Sequence, residues 1–302
     1  MHKSVGRSGR SPRAVALTVC AFALMLFAAS LTTLTGTSRA ATPRTAPVTS
    51  TPLPPRLPGT WELVLNSTFD GSSLNTSVWR PGWFGSGVTG PIAAGELACY
   101  SPENVTFPGD DTMHLDLTGT PSTCEGVKRP DTGAVVSSNP SDGRRSGGFQ
   151  YRYGYLEARV YVPSYKRRTA AWPVVMALGQ VWPQDGEDDV LEGLYGNLCV
   201  HFHSPGYATN NLLGGCYPRF SPGWHTVASD WQPGSIAWYY DGALVKRVSV
   251  GITSAPMYIV LANTLASFYP DSARPDSMRV AYVRVWQPTG PLAARRGYMH
   301  SS

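Results

Sequence analysis

Four acidic residues fall within six positions: Glu187, Asp188, Asp189 and Glu192, in the run Trp182-Pro183-Gln184-Asp185-Gly186-Glu187-Asp188-Asp189-Val190-Leu191-Glu192. In an extended chain side chains alternate between faces, so Glu187 and Asp189 share one. Glu192 has the wrong parity for that face, and a one-residue β-bulge would correct it. With the bulge absorbing one residue, the two glutamate Cα atoms stand on the order of 13 Å apart at ~3.3 Å per residue. Side chains leaning inward on a concave sheet would bring the carboxyls toward the ~5–5.5 Å separation that supports double displacement at a glycosidic bond. Crowded carboxylates also repel, so at least one is expected to hold a proton near neutral pH, as a general acid must. The same residues would equally make a solvated acidic edge or a Ca²⁺ site.

Neighbouring residues narrow the choice. Trp182 precedes the cluster and Trp172 lies ten residues before that, and an indole face suits the C–H face of a sugar. His201 and His203 follow with period two, so both face one way. A metal site there needs a third ligand, for which only His225 stands out, so no metal is expected. Asn263, in Leu261-Ala262-Asn263, reads either as a polar contact in a cleft or as a strand-end residue.

The elements that must position these groups are strands. Met113–Leu117, Tyr155–Val162, Ile236–Tyr240, Ala243–Val248, Met257–Ala262 and Met278–Trp286 alternate or run apolar between turn residues. Asp241-Gly242 is a two-residue hairpin signal, because both positions must take φ > 0. With 31 Gly and 26 Pro, long helices are disfavoured, and the pattern implies an all-β sandwich or jelly roll.

The rest of the chain frames this domain. Residues 1–40 read as an export signal: a basic stretch from Lys3 to Arg13, an apolar run Ala14–Ala29, and Ser38-Arg39-Ala40 before the expected cleavage. Residues 41–58 form a Pro/Thr-rich linker, 59–287 the folded domain and 288–302 a tail. Five of the 25 basic residues lie in the first forty positions, where there is no acid, leaving 20 against 20. The net charge of +5 is thus a property of the signal, and nucleic acid is not an expected partner. The mature protein is expected to be secreted, free of the membrane and monomeric. Four cysteines remain after the signal, and spacing favours Cys99–Cys124 with Cys199–Cys216 among three possible pairings.

Glu187-x-Asp189-x-x-Glu192 resembles the bulged active-site strand of the laminarinase-like members of glycoside hydrolase family 16. Further landmarks follow in the family's order. They are Phe69-Asp70-Gly71-Ser72-Ser73-Leu74, Tyr100-Ser101-Pro102-Glu103-Asn104-Val105, Tyr153-Gly154-Tyr155-Leu156-Glu157-Ala158-Arg159, Trp172-Pro173, Trp224-His225-Thr226, Trp238-Tyr239-Tyr240-Asp241-Gly242 and Tyr282-Val283-Arg284-Val285-Trp286. The resemblance covers most of Trp61–Gln287. It implies a concanavalin-like β-jelly roll of two antiparallel sheets with a sugar cleft across the concave one. It further implies endo-hydrolysis of a β-linked polysaccharide with retention and no cofactor, although a structural calcium occurs in the family. Glu187 would be the nucleophile, Glu192 the general acid/base and Asp189 the residue that orients the nucleophile. His203 would line the cleft with Trp172, Trp182 and Asn263.

Two positions depart from the family pattern. Asp188 stands where an aliphatic residue usually points between the sheets, and a buried, unpaired carboxylate costs several kcal/mol or stays protonated. Either an Arg or His on a neighbouring strand pairs with it, or the strand is remodelled. Met176 stands where many members have a second Trp, which implies a reshaped sugar subsite. The expected function is a β-1,3- or mixed-linkage β-glucanase. A glycan-binding jelly roll without catalysis, for which Asp188 is the best support, and a transglycosylase are the alternatives.

Overall fold

Alternating apolar residues give each strand one face to bury, and two such sheets stacked face to face bury both. The computed structural model describes residues 57–93, 95–143, 147–208, 213–217, 221, 223–267 and 274–290. The expected export signal, nearly all of the linker and most of the tail lie outside the described residues.

The principal strands are β1 (Trp61–Thr68), β2 (Ala98–Tyr100), β3 (Met113–Leu117), β4 (Asp131–Ser137), β5 (Gly154–Val162), β6 (Trp172–Gly179) and β7 (Glu187–Leu194). They continue with β8 (Asn197–His203), β9 (Gly214–Tyr217), β10 (Gly223–Gln232), β11 (Ser235–Tyr240), β12 (Ala243–Val248), β13 (Met257–Thr264) and β14 (Asp276–Pro288). One sheet runs β12-β11-β10-β5-β14-β3, with β1 also paired to β14. The other runs β9-β8-β7-β6-β13-β4 and carries the acids. All these neighbours are antiparallel, and the short β2 adds a parallel pair against β4. Asp241 and Gly242, at φ +48° and +77°, close the β11–β12 hairpin as their types require. The jelly roll expected from the sequence is the fold found.

Between the sheets lies one large apolar core. Leu156, Ala158, Val160 and Val162 of β5 meet Val175 and Ala177 of β6 and Ile259 and Leu261 of β13 there. Tryptophans enter the interior only with their N–H groups satisfied, since an unpaired buried donor is costly. Trp79 donates to Ser67 Oγ at 2.9 Å and Trp231 to the Thr253 carbonyl at 3.3 Å. The disulfides are Cys99–Cys124 and Cys199–Cys216, the pairing that spacing favours. Among the described residues, no helix is long and apolar enough to cross a membrane.

Candidate active site

Strand β7 carries the acids, and its register contains the expected bulge. Against β6, Glu192 lies opposite Val174, Leu191 opposite Val175 and Asp189 opposite Met176, so Val190 is the extra residue. Against β8 the same slip sets Asp189 opposite His201 and Glu192 opposite Cys199. Val190 and Leu191 both enter the core. That double step returns Glu192 to the face of Glu187 and Asp189.

The turn into β7 is fixed by Gly186. Its φ is +93°, and an added Cβ would stand 2.2 Å from Thr253 Oγ1. That hydroxyl donates to the Asp185 carbonyl at 2.7 Å, holding the turn shut.

Each of the three carboxylates is met by a ring N–H or imidazole. Trp182 Nε1 donates to Glu187 Oε2. Trp172 Nε1 donates to Glu192 Oε1 at 3.3 Å, and His201 Nδ1 lies 2.9 Å from Glu192 Oε2. His203 Nε2 lies 3.2 Å from Asp189 Oδ2, while its Nδ1 donates to the Ala208 carbonyl at 3.1 Å. Trp172, Trp182 and His203 thus converge on the acids. The sequence pairs His201 with His203 by parity but assigns only His203 to the cleft; here His201 joins it against Glu192.

Burial governs the protonation of this group. It raises Glu187, opposed by the charge of His203 and the Trp182 N–H and reinforced by the charge of Glu192. It raises Asp189 well above the usual carboxylate range, with Glu187 and Glu192 adding to the rise. Burial alone would depress His203, but the hydrogen bond and charge of Asp189 outweigh it and push the ring up to about 9. The Asp189–His203 pair therefore holds a proton through the neutral range, and the cluster carries less negative charge than its formula suggests.

Beside the acids, the floor of this face is apolar. Val174, Met176, Leu178, Tyr258, Val260 and Ala262 are buried there, with Trp83 and Trp172 packed against them. Met176 adjoins Asp189 in register. Trp182 is half exposed at the mouth.

Three expectations need correction. Asn263 is not on this face: it shares the parity of Leu261, is fully buried between the sheets, and donates to the Leu115 carbonyl at 3.1 Å and Asp276 Oδ1 at 2.7 Å. His225 does not approach the other histidines. It lies on β10 in the opposite sheet, its Nδ1 2.9 Å from Asp241 Oδ2, and Asp189 is the third donor beside His201 and His203. Asp188 has neither an Arg nor a His. Ser229 donates to its Oδ2 at 2.6 Å and Trp238 to its Oδ1 at 2.7 Å, both from the other sheet.

No family model matches the sequence. Two curated relatives are similar over short segments. The β-glucanase of Paenibacillus macerans is 49% identical over 41 residues, 14% of this chain and 17% of that protein. The β-glucanase of Rhodothermus marinus is 30% identical over 115 residues, 33% of this chain and 39% of that protein. The chain thus matches well under half the length of either. Solved structures are similar over far more of it. The laminarinase catalytic domain of Thermotoga maritima MSB8 has a TM-score of 0.64 at 23% identity, over 76% of this chain and 99% of that one. The endo-β-1,3-glucanase of Pyrococcus furiosus has a TM-score of 0.62 at 24% identity, over 75% and 94%. SCLam, a non-specific endo-β-1,3(4)-glucanase from family GH16, scores 0.62 at 20% identity over 76% and 92%. These likenesses bear out, at the level of fold, the resemblance read from the sequence.

Proposed function

We propose that this protein is a retaining endo-β-glucanase acting on β-1,3- or mixed-linkage glucan. The observation that carries the reading is the bulge at Val190, which gathers Glu187, Asp189 and Glu192 on one face with a tryptophan N–H on each glutamate. The names of the similar structures and of the two curated relatives point to the same chemistry and to a polysaccharide partner.

In this reading Glu187 attacks the anomeric carbon while Glu192 protonates the leaving oxygen. Glu192 then draws a proton from water to release the glycosyl group. The Trp182 N–H and the charge of His203 favour the ionised Glu187 that attack needs. Asp189, held by His203, orients the nucleophile's neighbourhood. Trp172 and Trp182 offer ring faces for sugar rings, and the reaction runs on carboxylates without a cofactor.

Export accompanies this reading. The basic and apolar segment before residue 41 supports it, as do two disulfides, which persist in oxidising surroundings. A monomer free of the membrane follows as part of the same proposal. The alternative of a non-catalytic glycan-binding domain drew on Asp188, and that residue faces the interior, away from the three acids.

The test is hydrolysis of laminarin, lichenan, xyloglucan, agarose and carrageenan with the anomer of the first product read by NMR. Cleavage of a β-glucan with retention, lost in Glu187→Gln and Glu192→Gln, is expected. Binding without cleavage, or full activity in Glu187→Gln, would overturn the proposal. Lengthened oligosaccharides in mass spectra would reassign it to transglycosylation.

A further inference from the structure

One donor atom from each of Asp189, His201 and His203 lies within 4.8 Å of the others. Two imidazoles and a carboxylate on one face are the donor set favoured by first-row transition ions with open coordination positions. The histidines are also oriented as ligands usually are. Metal-bound imidazoles commonly donate their second N–H to a carboxylate or a carbonyl, which fixes the tautomer. His203 Nδ1 donates to the Ala208 carbonyl at 3.1 Å, leaving Nε2 toward Asp189. His201 Nδ1 sits 2.9 Å from Glu192 Oε2, and donating there leaves its Nε2 with the lone pair.

Distances say how much must move. Tetrahedral ligands on Zn²⁺, with bonds of about 2.0–2.1 Å, stand about 3.3 Å apart. Asp189 Oδ2 and His203 Nε2 are already 3.2 Å apart. With every pair of donor atoms within 4.8 Å, His201 needs a shift of at most about 1.5 Å to reach that spacing, within reach of a side-chain rotation.

We propose that Asp189, His201 and His203 form a binding site for a divalent transition ion, Zn²⁺ being the type case, and that its occupation shuts the catalytic face. The ion is an inhibitor and not a cofactor: it replaces the proton shared by Asp189 and His203, which leaves to solvent, engages the ring that supports Glu192, and occupies the face that the glutamates share. Only this consequence rests on the proposed glucanase activity; the ion site itself does not.

Calorimetry on the metal-stripped full chain, titrated with Zn²⁺, tests the site. One ion per chain is expected, with binding weakened at least tenfold in His201→Gln and in His203→Gln and retained in Glu187→Gln. Cu²⁺ on the wild-type protein gives a reading that needs no variant: electron spin-echo modulation should show two coupled imidazoles. No saturable Zn²⁺ binding, wild-type affinity in either histidine variant, or fewer than two coupled imidazoles would overturn the site. Laminarin hydrolysis should fall in step with Zn²⁺ occupancy and return with EDTA. Full hydrolysis at saturating Zn²⁺ would sink the inhibitory role. Because calorimetry needs no turnover, failure of every glucan to react would remove the glucanase reading and leave the ion site standing.

Discussion

Asp188 Oδ1 accepts the Trp238 Nε1 hydrogen at 2.7 Å, and through that bond the acid-bearing strand is tied to the opposite sheet. Ser229 holds the other oxygen from the adjacent strand at 2.6 Å. Both donors are neutral and the carboxyl is 1% exposed, so no counter-charge compensates its ionisation. Burial pushes its pKa to about 7, with Ser229 and Trp238 lowering it and the charge of Glu187 raising it.

A stability prediction follows from linkage. The folded pKa lies above the unfolded value, so the folded state holds the extra proton between the two. The contribution is fully present below about pH 4 and is lost as pH rises through about 7. A rise of about three units corresponds to roughly 4 kcal/mol. Asp188→Asn removes the ionisation, its carbonyl oxygen still accepting from Trp238 while its amide N–H donates to Ser229 Oγ, which reverses that bond. Urea midpoints at pH 4.5 and 7.5 should therefore separate the variant from wild type mainly at the higher pH, with Asn the more stable there. An equal difference at both values would show that Asp188 does not titrate in this window.

His203→Gln should move the acidic limb of kcat/KM to higher pH. The charge of His203 lowers the pKa of Glu187 against the pull of burial, and attack needs the ionised form. Without that charge Glu187 holds its proton to higher pH, an upward shift on the order of one unit. The variant should lose about tenfold relative to wild type below the limb and much less above it. A uniform loss at every pH would mean that the ring only shapes the site.

How far the sequence reached depended on whether a feature is local. The bulge follows from counting positions between Glu187 and Glu192, and the hairpin at Asp241-Gly242 from two residue types. Parity also sufficed to place Asn263 on the face of Leu261, yet its polarity suggested a cleft. The partners of Asp188 lie 41 and 50 residues away on the other sheet, and no local pattern encodes that meeting. Strand β10 was hidden for a related reason. Its core-facing positions include His225 and Ser229, polar residues that interrupt the alternation and are satisfied only by contacts formed after folding. His201 and His203 share a parity and stand opposite Asp189 and Glu187 in register, yet their rings lean one position along the strand to meet Glu192 and Asp189, which parity does not encode.

Removing the Cys199–Cys216 bridge should loosen the edge of the acid-bearing sheet. The bridge joins β8 to the terminal strand β9, with Cys199 directly opposite Glu192. The closed loop spans a separation of 17 residues, for which chain-entropy estimates give about 3 kcal/mol. A Cys199→Ser/Cys216→Ser double variant should melt several degrees lower and lose hydrolysis before global unfolding. Coincident loss of activity and of tertiary signal on heating would instead place the bridge outside the site's local stability.

Gly186→Ala tests whether the turn before β7 sets the position of Glu187. At φ +93° an alanine is strained whatever the space around it, and here the Cβ would also stand 2.2 Å from Thr253 Oγ1 and 3.1 Å from Phe202 Cζ. Backbone strain of this kind costs of order 1–3 kcal/mol. The Thr253 hydroxyl must move, and with it goes its bond to the Asp185 carbonyl. The first residue displaced beyond the turn is Glu187, and misplacement by about 1 Å can cost on the order of 100-fold in rate. The variant should therefore lose far more in kcat than its fall in melting temperature implies. Gly186→Ala/Thr253→Ala relieves the clash but not the φ penalty, so it should recover part of the rate and little of the stability. Equal recovery of both would assign the defect to the Thr253 contact alone.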